Sequence, residues 1–160
     1  MEVNLHIYSG IGNLIAIVDG IRNDLHISSK EVDHVYNFHG VNFDQLIILL
    51  PPSDPQNDLD VKIFNNDGSI ASNCINGARC VGRFIKDNSL LASNKFKVKT
   101  DGGLWELDNV ENNIFSAAFE VKAEIITKKV EAKGIELSLD CINLGNLHGV
   151  TFENKQIDMR

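Results

Sequence analysis

The sequence predicts an α+β fold in which mostly antiparallel strands surround one central helix. Two observations carry it. Short apolar segments bounded by turn formers recur along the chain, many of them with the period of two that marks a half-buried strand. Only one stretch, after Cys74, presents a strongly apolar helical face, through Ala78, Val81, Phe84 and Ile85. No internal repeat or low-complexity tract interrupts this pattern.

Taken in order, Val3, Leu5 and Ile7 alternate with Asn4, His6 and Tyr8 as a strand, which turns at Ser9-Gly-Ile-Gly-Asn13 into a second strand over Leu14–Val18. Ser28-Ser-Lys-Glu31 has capping-box spacing, and Gly40 stands where a helix over about 29–38 would stop. Gln45–Leu50 reads as a buried strand closed by Pro51-Pro52, followed by an exposed loop through Asp60. Val61–Phe64 is a strand, and Asn66-Asp-Gly-Ser69 is a tight turn ahead of the central helix. "KFKVKT", "LWELDN" and "NIFSAAFEV" are strands joined at Asp101–Gly103 and at Asn109–Asn113. Beyond Val121 the character changes to a charged stretch, "KAEIITKKVEAKG", and two further strands follow over Ile135–Leu144 and His148–Phe152. This shift places a domain boundary near residue 120.

The 160 residues suffice for one domain with a real core, or for one domain and part of another. A net charge of −7, without a basic cluster beyond Lys128-Lys129, argues against nucleic acid and anionic membranes as partners. The opening "MEVNLHIYSG" lacks the basic and apolar regions of a secretion signal, and the longest apolar run, Leu46–Leu50, is too short to cross a bilayer. Cys74, Cys80 and Cys141 fit neither a disulfide framework nor a zinc spacing, so they read as free thiols. The expectation is a soluble, cytoplasmic protein without a metal.

Cys74 is set apart by position. In "NCINGARCVGRF" it stands at the start of the central helix, where unpaired backbone N–H groups and the positive end of the helix dipole favour the thiolate. The same N–H groups, of Ile75, Asn76 and Gly77, form a cradle for a carboxylate, and a carboxylate held there brings its neighbouring carbon close to the sulfur. Cys80, inside the helix, and Cys141, in a strand, read as small buried hydrophobes. Gln45, at the mouth of a buried strand, needs a polar partner. Asn13 and Asn65 lie at turns, where asparagine is common for local reasons, and His148 taken alone is an ordinary strand histidine.

"SGIGN" (Ser9–Asn13), "FDQL" (Phe43–Leu46), "IFNNDGS" with "NCINGARC" (Ile63–Cys80) and "LGNLHGV" (Leu144–Val150) occur in the order found in diaminopimelate epimerase, which the chain resembles over essentially its whole length. The resemblance implies a sheet curled around the central helix, with 1–120 as the N-terminal epimerase domain and 121–160 as the start of a second, incomplete one. It implies a cofactor-independent epimerase of lysine biosynthesis that converts LL- to meso-diaminopimelate. In such enzymes two cysteines flank the α-carbon, one thiolate removing the proton and the opposite thiol returning it. Carried over, Cys74 is one of that catalytic pair. The N–H groups of Ile75 and Asn76 hold the α-carboxylate. Asn13, Gln45, Asn65 and Asn146 bind polar ends of the substrate, and His148 modulates the cysteines. A homodimer is the expected assembly.

The chain also departs from the family pattern. Ile75 replaces a glycine after the cysteine, Leu14 an aspartate and Leu147 a proline. The Cys-Gly-Ser-Gly-type loop with the second cysteine, and the Glu-Arg pair before it, have no counterpart here. A related racemase or isomerase of the same fold, or a truncated non-catalytic binding domain, are the alternatives. Ile75 raises a specific question: a β-branched residue is strained at the positive φ that glycine takes freely.

Overall fold

The computed structural model describes residues 4–22, 25, 27–111, 114–120, 124–132, 134–144 and 147–152. They divide into two compact units, 1–120 and 121–160.

In the first unit, β1 (His6–Gly10), β2 (Asn13–Asp19), β3 (Gln45–Leu50), β4 (Leu59–Asn65), β6 (Lys95–Thr100), β7 (Gly103–Glu111) and β8 (Ile114–Phe119) form one sheet in that order. The two-residue β5 (Ile70–Ala71) pairs with β4 alone. Two pairings are parallel, β2 with β3 and β4 with β6, and the rest are antiparallel. Parallel neighbours need a crossover. Here α1 (Ser29–His39) lies between β2 and β3, and α2 (Ile75–Asp87) between β4 and β6.

The crossovers cover opposite faces. Ile15, Ile17, Ile47, Leu49 and Ile63 pack with Ala78, Val81, Phe84 and Ile85 of α2, whereas Ala16, Val18, Leu46, Ile48 and Phe64 pack with Val32 of α1 and with Phe43. This two-sided burial is why β3 reads as an uninterrupted apolar run rather than an alternating one. Helix α2 touches β1 and β2 at one edge of the sheet and β7 and β8 at the other. A single helix reaches both edges only if the sheet curls into a half-barrel around it. The α+β expectation of a mostly antiparallel sheet around a central helix is therefore met.

Local chemistry accounts for the ends of these elements. The Ser28 backbone N–H and hydroxyl both donate to the Glu31 carboxylate at 2.7 Å, opening α1, and Gly40 closes it at φ 64°. Helix α2 closes without glycine: the Ser89 N–H donates to the Lys86 carbonyl, the Leu90 N–H to that of Ile85, and Ser89 takes the left-handed conformation at φ 51°. The β1–β2 turn consists of Ile11 and Gly12, both at positive φ. That two-residue turn matches the twist of the strands, although a β-branched residue is unfavourable in it.

Beyond shifted strand ends, with β4 starting at the buried Leu59 and β7 running through 109–111 where the sequence predicts a turn, three details differ from the sequence reading. In β1, Tyr8 packs on the α2 side and Ile7 is 46 % exposed, so the polar half of the alternation supplies core contacts. The small β5 has no visible periodicity. In the second unit the charged stretch after Val121 contains a strand, β9 (Ile126–Ala132), pairing antiparallel with β10 (Ile135–Asn143), which in turn pairs with β11 (Leu147–Val150). Cross-strand contacts of Thr127 with Asp140 and Lys129 with Glu136 replace the apolar pattern that would have marked β9. Among the described residues no helix is long and apolar enough to cross a membrane.

Candidate active site at the start of α2

Cys74 is the N-cap of α2. Its backbone is extended (φ −147°, ψ 94°), its carbonyl accepts from the Ala78 N–H, and its Sγ accepts from the Gly77 N–H at 3.2 Å. A sulfur thus occupies the capping place usually taken by a serine or aspartate oxygen. Gly77 makes the geometry possible: a Cβ there would stand 2.5 Å from Ile47 Cδ1 and 2.9 Å from Cys74 Sγ. Cys74 is buried, at 7 % exposure.

Burial has an electrostatic consequence. It pushes the Cys74 thiol above its ordinary range, against the Gly77 and Asn76 N–H groups, which favour the thiolate. Position at the helix start alone leads one to expect a thiolate; in the closed site desolvation outweighs it. Cys80 is pushed further, to about 11, by burial first and then by its neighbour Cys74, with Arg79 opposing.

Ile75, the first helical residue, is half-buried and does not have a positive φ. Replacing a glycine here therefore carries no left-handed strain, and its N–H, like that of Asn76, belongs to the first turn, where no intrahelical acceptor exists. The Gly77 N–H is instead taken by the Cys74 sulfur, on which the Asn76 N–H also bears. The Asn76 side chain accepts from Arg79 Nη2 at 3.0 Å.

Three of the polar candidates converge on one end of the sheet. Gly10 pairs with Asn13, Ile15 with Gln45, and Gln45 with Asn65, so the starts of β2 and β3 and the end of β4 lie side by side. Helix α2 begins against this end: a Cβ on Gly10 would meet the Asn76 carbonyl oxygen at 2.8 Å. The partner that Gln45 requires is Asn65, whose Oδ1 accepts from Gln45 Nε2 at 3.0 Å, while Asn65 Nδ2 donates to Ser69 Oγ at 3.0 Å. Ser69 donates in turn to Asp67, holding that carboxyl below its usual range. The sequence also hid Asp44, which joins these strand ends. Its carboxylate accepts from the Leu14 N–H at 2.7 Å, its N–H donates to the Leu14 carbonyl, and its carbonyl accepts from Asn66.

The remaining candidates lie in the second unit. His148 is exposed in β11 opposite Ile142, and Asn146 falls outside the described residues. Cys141 is half-buried in β10. Among the described residues no group of three or more His, Cys, Asp or Glu side chains is arranged to hold a metal.

Comparison with known proteins identifies the family and the fold. A family model for diaminopimelate epimerase matches residues 5–120. The diaminopimelate epimerase of Stutzerimonas stutzeri is 34 % identical over 154 residues, an alignment covering 88 % of this chain and 56 % of that protein. Among solved structures, a hydroxyproline epimerase from Agrobacterium vitis superposes with a TM-score of 0.69 at 11 % identity, over 93 % of this chain and 51 % of that one. A PhzF-family phenazine biosynthesis protein from Bacillus anthracis superposes at 0.63 and 17 % identity, over 92 % and 53 %. These structures share the fold. The chain spans about half the length of the curated relatives it matches, and it belongs to the diaminopimelate epimerase family.

Proposed function

We propose that this chain is the part of an α-carbon epimerase that carries one acid/base thiol and the carboxylate cradle, and that its substrate is diaminopimelate, interconverted between the LL and meso forms in lysine biosynthesis. The observation that carries the reading is the start of α2: a buried Cys74 sulfur beside the N–H groups of Ile75 and Asn76. An α-carboxylate seated on those N–H groups puts the α-carbon next to Sγ. Cys74, as thiolate, takes the α-proton; the C–H electron pair stays on the α-carbon and is delocalised into the hydrogen-bonded carboxylate; a second thiol on the opposite face returns a proton. Preoriented donors in a dry site stabilise the developing charge most effectively. Burial that raises the thiol pKa also makes the thiolate a stronger base toward a very weak carbon acid.

Within this reading Asn13, Gln45 and Asn65 bind the distal polar groups, supported by their shared position at the sheet end, while a substrate-binding role for Asn146 and a modulating one for His148 rest on the family resemblance alone. Cys80, buried inside α2, is not the second thiol in this reading; the family resemblance puts that thiol on a Cys-Gly-Ser-Gly-type loop without a counterpart in these 160 residues. No cofactor is required, since the thiols and the cradle supply base, acid and charge stabilisation. Free thiols suit a cytoplasmic setting. Apolar side chains exposed in the second unit, among them Leu147 and Phe152, suit a homodimer.

In the complete enzyme, Cys74→Ala abolishes exchange of the diaminopimelate α-hydrogen with deuterated solvent, followed by NMR. Retained exchange overturns the assignment. The likeness to a hydroxyproline epimerase favours, as a second reading, a related epimerase with another substrate. Exchange at the α-carbon of an amino acid lacking a distal amino-acid group, with none in diaminopimelate, would select it.

A further inference from the structure

The segment that delivers Cys74 to the helix start is pinned from behind. Trp105 of β7, wholly buried, donates its indole N–H to Asn73 Oδ1 at 2.7 Å, and Asn73 is itself only 8 % exposed. One residue earlier, the Ser72 carbonyl accepts from the Gly102 N–H at 2.8 Å. The β6–β7 turn that supplies this donor is braced by Thr100, whose hydroxyl donates to the Gly103 carbonyl at 2.9 Å and accepts from the Gly102 N–H at 3.0 Å. Two consecutive residues before Cys74 are therefore tied to one hairpin, one through the backbone and one through a buried side-chain pair. Neither Trp105 nor Asn73 has a part in the chemistry proposed above.

We propose that Trp105 is a positioning residue for the candidate site: through Asn73 it fixes the backbone from which Cys74 opens α2, so that Sγ stays enclosed against Gly77 and beside the Ile75–Asn76 cradle. The proposal rests on the reading of Cys74 as the reacting group only for its catalytic consequence; the geometry it asserts is measurable without turnover. Indole is the fitting side chain because it is donor-only, large enough to fill the space between β7 and α2, and reaches Asn73 while its ring stays in the core. A buried amide oxygen that loses its donor has no water to replace it and moves toward solvent, taking the neighbouring Cys74 backbone with it.

Site-resolved alkylation of the 160-residue chain by iodoacetamide, read by mass spectrometry, tests this, with Cys80 as the internal control for global opening. In Trp105→Phe the ring remains but the N–H is lost. The expected result is alkylation of Cys74 about tenfold faster than in the parent while Cys80 stays protected, because relief of burial returns the thiol toward its ordinary acidity. The double variant Trp105→Phe/Asn73→Leu removes both polar partners and so recovers most of the lost stability. With no amide oxygen left without a donor, Cys74 returns toward parent reactivity in it. Parent-like Cys74 reactivity in Trp105→Phe, Cys74 as fast in the double variant as in the single one, or acceleration of Cys80 in step with Cys74, overturns the proposal and leaves Trp105 as a core residue. Neither outcome depends on whether the chain acts on diaminopimelate.

Discussion

The two helices begin in contrasting ways. Helix α1 opens on Ser28 at the protein surface, where a serine and the Glu31 carboxylate satisfy the cap locally and the residues involved are exposed. Helix α2 opens on Cys74 in the core, where the cap is a sulfur, the first turn contains no acidic residue, and the approach is held by β7 and the β6–β7 turn. A surface cap can be chosen for stability alone. A buried cap made by a weakly accepting, reactive thiol is a poor choice for stability, and sites that break a local rule in this way are where function is to be sought.

The comparison breaks most sharply at the sulfur. Cys74→Ser retains an oxygen that caps helices well, so folding persists, yet α-hydrogen exchange in the complete enzyme falls by at least about 100-fold because the hydroxyl is a far weaker acid/base group. A parent-like exchange rate would make Cys74 a cap like Ser28. The next effect is steric. Gly77→Ala drives a Cβ against Ile47 and the Cys74 sulfur, costing about 1–3 kcal/mol in urea denaturation; a neutral result would show that the first turn of α2 is loosely packed. The smallest effect belongs to α1. Ser28→Ala costs about 1 kcal/mol and leaves Cys74 alkylation unchanged. The sign of the linked pH effect follows from Glu31, whose carboxyl is held below its usual value by its Ser28 hydrogen bonds. That stabilisation is present above the ordinary carboxylate pKa and is lost as pH falls through the lowered one. The Ser28 N–H, the larger cause, survives in Ser28→Ala, so the gap between the acid denaturation profiles of parent and variant should narrow at low pH only by the share of the Ser28 hydroxyl.

Legibility in the sequence followed the range of the interaction. The helical face of Ala78, Val81, Phe84 and Ile85, the Ser28–Glu31 cap, the Gly40 stop and the limits of β3 are set by residues within a few positions of one another, and each stands in the structure where periodicity put it. β9 escaped because polar contacts to β10, a Thr127–Asp140 hydrogen bond and a Lys129–Glu136 ion pair, lie along one of its faces. The inverted facing of β1 escaped because Tyr8 and His6 meet Phe84, a residue far along the chain. At the site, the position of Cys74 was legible, but its buried state was not, and burial reverses the direction in which its thiol is pushed.

By itself, then, the sequence determined where the helices start and stop, which stretch faces a core, and that one cysteine sits at a helix start, since all of these depend on local backbone chemistry and period. Only the tertiary structure decided that Ile75 enters the helix without left-handed strain, that Gln45 and Asn65 bind each other at the sheet end, and that Trp105 reaches Asn73 behind Cys74. Those outcomes depend on register and on contacts between distant segments, and a hydrogen bond formed across 32 positions of chain leaves no local trace in the residues that make it.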